Sequence, residues 1–320
     1  MPDISIIIPN YNHGYFLKQR IESVLNQTYK NFECIILDDA SSDNSQQIIL
    51  QYAAQDSRIS YNFSQVNSGS PFVQWNKGVQ LAKNELIWIA ESDDYCLPTF
   101  LEDLVQSHKN NTSICLSYCQ SNKVNIDGVI VGSWSDQFNF FDVSLFKNDF
   151  IIKGEEFVNK FLIKKNVIPN ASAVLFKKSA YQRIGGADEN FKTNSDWLVW
   201  LKMSLIGDVA FLASHNNMFR FHSQSVIAKH NASIKSTYKE QYDCKMRKAF
   251  KAWYKTNYKL SFNKEIIKVN DQFISYDIGN EGLYLALNKH ILNGLFKILV
   301  ASFFPKLTTG YFRKILKNIK

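Results

Sequence analysis

The chain has 320 residues, enough to bury a full core, and one large domain with an appendage is the natural expectation. Hydrophobic residues make up 45% and charged residues 21%, an ordinary globular composition. The net charge of +8 gathers at one end: no Asp or Glu follows Glu281, but Lys289, Lys297, Lys306, Arg313, Lys314, Lys317 and Lys320 do, which speaks for a basic tail and against a nucleic-acid groove. The aromatic share of 14% suits sugar or nucleotide contacts and equally a plain core. Cys34, Cys96, Cys115, Cys119 and Cys244 are odd in number and form no CxxC pair, so reduced thiols in a cytosolic setting are expected. The N-terminal MPDISIIIP lacks a basic leader with a long apolar core, so no signal peptide is expected. No apolar run reaches the roughly 18 residues that a spanning helix needs.

Ile4–Pro9 is apolar throughout and predicts a buried strand, left through the turn-like Asn10-Tyr11-Asn12-His13-Gly14. Phe16, Leu17, Ile21, Val24 and Leu25 recur at helical spacing. Glu33–Asp38 predicts a second strand. The next helix runs through Ile48, Ile49 and Tyr52 and takes its cap from Ser42 or Asp43. Ile59–Phe63 reads as a third strand, and Pro71 suits the first turn of a helix reaching about Ala82. Leu86–Ala90 is a short apolar run ending in Glu91, Asp93 and Asp94. This alternation of strand and helix predicts a parallel sheet flanked by helices, with ligand groups at the carboxyl ends of the strands. Three acids at one such end repel each other unless a cation neutralises them. A GxGxxG loop after the first strand is absent, which argues against an NAD-type site.

Further along, Phe100, Leu101, Leu104 and Val105 mark a helix, Ile114–Tyr118 a strand, and Asp127-Gly128 a hairpin turn. The aromatic-rich 133–150 reads as a loop packed on its own rings in preference to a lid. Glu155–Leu162, Lys177–Ile184 (stopped by Gly185-Gly186) and a segment opening at Asp196 read as helices, with a strand at Ala171–Phe176. Taken alone, Asp196 is explained by the dipole at a helix N-terminus. Helices are expected over Ile234–Tyr258, Asp271–Leu287 and Ile291–Phe304, and a basic amphipathic end over Tyr311–Lys320 that suits contact with anionic lipid.

The motifs PxYN, the Gln-Thr pair, DDxSxD, NxGxxxxxNxG and the acidic end at 91–94 lie in Ser5–Ser45 and Asn67–Asp94, and their joint spacing resembles the family 2 glycosyltransferases. GGADENF before Asp196 and the Arg220-x-His222 pair are similar to later motifs of that family. The resemblance implies an α/β GT-A fold, with 1–230 the catalytic domain (1–110 the nucleotide-binding half, 111–230 the acceptor half) and 231–320 a helical basic region. It implies an inverting transferase that moves a sugar from a nucleotide-sugar donor, UDP first among nucleotides, to a glycan or lipid-linked acceptor. Polysaccharide assembly at the cytoplasmic face of the membrane, as a peripheral protein, is the implied setting, and nucleic acid is not a partner. Asp196 matches the catalytic base. Pro9, Tyr11, Asn12, Asp39, Asn67, Glu91, Ser92 and Arg220 match nucleotide-binding positions, with Glu91 where the family usually has Asp. Asp93 and His222 match metal positions for Mn2+ or Mg2+, whose charge offsets that developing on the diphosphate leaving group. Two other readings share these residues: a non-catalytic nucleotide-sugar or glycan-binding protein, and a nucleotidyltransferase, for which PNYNHG is a poor phosphate loop.

Overall fold

A strand with no polar face is stable only between two layers. β1 (Ile4–Asn10) is such a strand, with every residue buried, and the sheet is laid out from it. In the computed structural model, which describes residues 4–109, 111–135, 144–222, 238–258, 263–288 and 290–302, the chain forms two compact units. The first comprises Met1–Phe161 and Asn166–His222; the second comprises Leu162–Lys165 and Ser223–Lys320.

In the first unit β2 (Phe32–Asp38) and β4 (Leu86–Ile89) flank β1, and β3 (Ile59–Phe63) lies outside β2, all parallel. This half follows the alternation read from the sequence. Beyond β4 the sheet turns mixed. β9 (Val174–Lys177) runs antiparallel to both β4 and β6 (Ile114–Val124), and β10 (Asp208–Arg220) runs parallel to β6. β5 (Tyr95–Cys96) pairs antiparallel with β10, as does β8 (Phe150–Ile152), and β7 (Ile130–Ser133) completes the expected hairpin with β6. The sheet order is β3-β2-β1-β4-β9-β6-β10-β5.

Helices α1 (Gly14–Leu25), α2 (Ser45–Gln55), α3 (Pro71–Leu81), α4 (Phe100–Lys109), α5 (Gly154–Phe157), α6 (Lys178–Arg183) and α7 (Ser195–Ser204) accompany it. α5 continues as a single wider turn over Val158–Leu162. α2 starts after Asn44, later than a Ser42 or Asp43 cap would place it; Asp43 Oδ1 accepts from the Ser45 N–H while its Oδ2 accepts from Gly14 N–H. Among the described residues of the aromatic segment 133–150, rings pack both on each other, Phe146 edge-on to Phe150 at 5.6 Å, and on neighbouring elements. Trp134 stacks on Phe219 at 4.6 Å, and Phe146 packs edge-on against Phe211 at 5.4 Å and Phe161 at 5.2 Å. Phe138, Phe140 and Phe141 lie outside the described residues.

The second unit contains α8 (Tyr238–Asn257), α9 (Lys264–Leu287) and α10 (Ile291–Ser302). α9 begins earlier than the expected Asp271 because Asn263 caps it, its side-chain oxygen accepting from Glu265 N–H at 3.0 Å. Arg247 donates to the carbonyls of Ile163 and Lys164, tying that short stretch to α8. The start of the expected 234–258 helix and all of Tyr311–Lys320 lie outside the described residues.

The apolar stripe of α1 on the sheet carries Phe16, Leu17, Ile21 and Val24, and with them Arg20, which is wholly buried. Arg20 Nε donates to the Glu91 carbonyl at 2.8 Å and Nη2 to Ser172 Oγ at 3.2 Å, Nη2 lies 3.9 Å from Asp94, and the guanidinium sits 5.4 Å from the Trp88 ring centre. A buried cation is stable only with such partners. Arg20→Met is expected to cost about 3 kcal/mol, the scale for removing one member of a buried ion pair. A lowered urea midpoint with an unchanged slope would show it. An unchanged midpoint would mean that α1 packs as well without the guanidinium.

Candidate active site

β1 and β2 finish level, Asn10 beside Asp38, while β4 stops three residues earlier, Ile89 beside Ile7. The chain runs outward from β1 through β2 and β3, then crosses to β4 on the other side of β1. That reversal opens a crevice at the carboxyl ends, the usual place for a ligand in an α/β sheet. Three exits line it: Tyr11 to His13, Asp39 to Ser42, and Glu91 to Asp94.

Pro9 is buried in β1, and Tyr11 just beyond it is 47% exposed at the crevice mouth. Asn12 turns the chain: its N–H donates to Ser41 Oγ and its side-chain oxygen accepts from Ser42 N–H, each at 2.8 Å. Asp39 is buried, with its carboxylate held from several sides. It accepts from Gln74 Nε2 at 2.6 Å, Ser68 Oγ at 2.7 Å, Ser68 N–H and Asn67 Nδ2. Asn67 therefore acts on Asp39. Ser68 and Gln74, which the sequence reading passed over, complete the same cradle.

The acidic end of β4 separates its three carboxylates by environment. Burial and the charge of Asp93 push Glu91 up to about 8, although the Trp75 indole N–H donates to it at 2.9 Å. Burial and the same neighbour push Asp94 up to about 7, while Asn170 Nδ2 and the Arg220 N–H bind its two oxygens at 2.6 and 2.8 Å. Burial works the same way on Asp93, but the hydrogen bond from His222 and the charges of His13 and His222 hold its carboxyl below the ordinary value. Asp93 is thus the acid that keeps its charge.

His222 Nε2 lies 3.1 Å from Asp93 Oδ2, and His13 Nδ1 lies 2.8 Å from the Oγ of buried Ser92. Among the described residues His13, Asp93 and His222 form one group whose donor atoms all lie within 4.8 Å of one another, close enough to hold an ion. His13 was not singled out in the sequence. The available signal was its place in the first crevice loop, one step from Asn12.

Arg220 and His222, alike in sequence, part company here. Arg220 is buried and spends four of its five guanidinium N–H groups inside the protein. They go to the carbonyls of Asp93, Asn125 and Ile126 and to the Gln19 side chain. At the position the resemblance matches to nucleotide binding, these bonds brace the acidic turn against the β6–β7 hairpin.

Asp196 stands in the first turn of α7 with Asn166 Nδ2 3.5 Å from its Oδ2. Ser195 is buried and accepts from Asp188 N–H at 2.9 Å, fixing the preceding loop. That loop joins the crevice wall: Ser70 Oγ donates to Phe191 O and Asn76 Nδ2 to Ala187 O, both at 2.9 Å. Trp200 of α7 packs 6.2 Å from Trp75, the same indole that donates to Glu91. These contacts tie α7, whose first turn holds Asp196, and the loop before it to α3.

Three non-glycine residues have left-handed backbone among the described residues: Asn12 at φ 54°, Ala40 at 62° and Asn194 at 63°. Each adjoins a crevice exit or the start of α7. Such conformations cost of order 1–2 kcal/mol and persist where surroundings enforce them. A separate cavity of about 770 Å3, lined by Cys115, Lys153, Lys177, Arg183 and Asp208, lies where β6 and β10 begin and holds none of these groups.

Comparison with known proteins places this arrangement. The Glycosyl transferase family 2 profile matches residues 5–178. The chain is 40% identical over 103 residues to the glycosyltransferase GlyG of Streptococcus pneumoniae, covering 32% of this chain and 34% of that one. It is 28% identical over 172 residues to the GalNAc(5)-diNAcBac-PP-undecaprenol beta-1,3-glucosyltransferase of Campylobacter jejuni, covering 53% and 54%. These matches span about a third to a half of the relatives' own lengths. The crystal structure of S. aureus TarS 1-349 in complex with UDP-GlcNAc superposes with a TM-score of 0.63 at 17% identity, covering 89% of this chain and 74% of that one, which is a likeness of fold. With more than half its length matched by the family profile and the sheet order described above, the chain belongs to glycosyl transferase family 2 and has the GT-A fold.

Proposed function

We propose that the protein is an inverting glycosyltransferase that moves a sugar from a UDP-sugar to a hydroxyl of a glycan or lipid-linked acceptor. The observation that supports this reading is that Asp39 and the His13–Asp93–His222 group stand at one sheet edge, with α7 packed through Trp200 on Trp75, whose indole donates to Glu91. A titratable base, a nucleotide cradle and a cation-holding group in one crevice are what glycosyl transfer needs. The UDP-GlcNAc bound by TarS and the undecaprenol-linked acceptor in the name of the Campylobacter relative point the same way. The setting we propose is polysaccharide assembly at the cytoplasmic face of a membrane, which the basic residues after Glu281 favour.

In this reading Tyr11 offers its exposed ring to the base, and Asp39 is held rigid by Gln74, Ser68 and Asn67 to accept from it. Asp93 and His222, joined by His13, would hold a divalent cation. Two imidazole nitrogens and one carboxylate oxygen fit a Mn2+-like ion, and a sparse set leaves positions for phosphate oxygens. When bound, that ion supplies positive charge to the leaving diphosphate. Asp196 takes the proton of the acceptor hydroxyl as its oxygen bonds to the anomeric carbon. The bond from that carbon to the diphosphate oxygen breaks with its electron pair, and UDP leaves from the opposite face. One displacement inverts the carbon.

Asp196→Asn is expected to keep UDP binding and to lose turnover by about a hundred- to ten-thousand-fold, the usual contribution of a positioned base. Near-normal release of UDP by this variant would remove Asp196 from the role. Calorimetric titration with Mn2+ tests the cation group. His13→Ala should weaken binding by roughly tenfold or more, and an isotherm equal to that of the unaltered protein would take His13 out of the group. A screen of nucleotide sugars should find release of nucleoside diphosphate, not pyrophosphate. The absence of turnover with every donor would favour a binding protein on the same fold.

A further inference from the structure

α10 is apolar almost all round, and only part of its surface is used within its unit. One face packs on α9 at very short range. A Cβ added to Gly294 would stand 2.5 Å from the Gly282 oxygen and from Ala286 N. Ile298 and Ala301 are buried beside this contact, and Ser275 Oγ donates to the Ala301 carbonyl at 2.8 Å. Lys297 reaches back to pair with Glu281. A helix that needed only this dock would be polar elsewhere.

Instead Ile291, Leu292, Leu295 and Phe296 are 58%, 84%, 54% and 66% exposed. At 3.6 residues per turn they share one stripe about 140° wide, adjoining that of Gly294, Ile298 and Ala301 without overlapping it. Large apolar side chains gathered in this way mark an interaction surface.

Charge selects the occupant. The stripe carries no acid, and seven Lys and Arg but no Asp or Glu follow Glu281. A second copy of the chain would bring those cations against their like, which opposes association. An anionic bilayer takes both the apolar side chains and the cations. Twelve residues of helix span about 18 Å against a hydrocarbon core of about 30 Å. Among the described residues no helix is long and apolar enough to cross a membrane.

We propose that the outer stripe of α10 is a docking surface for an anionic lipid bilayer, with the helix lying in the plane of the headgroups. This deepens the reading of a membrane-side transferase and rests on it, but it is tested apart from it.

The test is co-sedimentation of the full chain with vesicles of phosphatidylcholine alone or mixed equally with phosphatidylglycerol. The unaltered chain is expected to bind the anionic vesicles and to leave the neutral ones largely unbound. Leu292→Gln with Phe296→Gln is expected to lower binding by roughly tenfold or more, since the apolar area buried sets the affinity of such helices. An unchanged thermal melt would show that the pair alters only the surface. Failure of the unaltered chain to bind, or equal binding by the double variant, overturns the proposal. So does loss of binding only when Arg313, Lys314 and Lys317 are changed to Gln, because the tail alone would then dock. A dimer that the double variant converts to a monomer also overturns it, in favour of a second copy. UDP binding in the presence of Mn2+, measured by calorimetry, reports on the transferase reading independently, so the failure of one is not the failure of the other.

Discussion

Like charges crowded at the end of one short strand are the constraint on which the rest depends. Glu91, Asp93 and Asp94 follow β4 within four residues, and carboxylates so close do not ionise together. Each is given a different environment. Asp94 is buried against Asn170, the Arg220 amide and Arg20. Glu91 meets an indole N–H, and Asp93 faces two imidazoles. The partners come from α1, α3, the segment before β9 and the end of β10, so the charge pattern is satisfied only when distant parts of the chain have closed on this turn. Order in the site and order in the fold are therefore one requirement.

The smallest strand accomplishes much of that closure. β5 has two residues, yet it pairs Tyr95 with Met218 and Cys96 with Asn217. That pairing sets the end of β10 beside the acidic turn, so that Arg220 and His222 arrive at Asp93 and Asp94. A strand so short leaves no periodicity to read. The parallel half was legible because β1, β2 and β4 are buried on both faces and show as apolar runs, and because Gly, Asn, Asp and Pro punctuate the gaps. The mixed half was not, since β9 is a short apolar run and β10 is interrupted by Ser214, His215, Asn216 and Asn217, and the direction of both depends on tertiary pairing.

The candidate site was legible where a residue's type and place in the chain put it at a strand end. A carboxylate at a strand end, such as Asp93, has few other reasons to be there. Asp39 was visible for the same reason, but its cradle was not, because Ser68 and Gln74 lie in a loop and a helix whose sequences are unremarkable. His13 was hidden by company: in a polar turn of Asn, Tyr and Gly it reads as one more turn residue. Its partner Ser92 comes from 79 positions away.

Arg220 and His222 show what spacing alone leaves open. Both sit near a strand end, both are basic, and two-residue spacing sends both side chains the same way. What separates them is reach and donor number. A guanidinium with five N–H groups, once buried, must find carbonyls for them, and the hairpin at Asn125 and Ile126 supplies these. The shorter imidazole stops at Asp93 with one nitrogen committed. The longer side chain therefore becomes framework, and the shorter one keeps a ring beside the charge. Which of two neighbouring bases becomes a brace is thus decided by the hydrogen-bond demands of burial, and those are settled in part by residues nearly a hundred positions upstream.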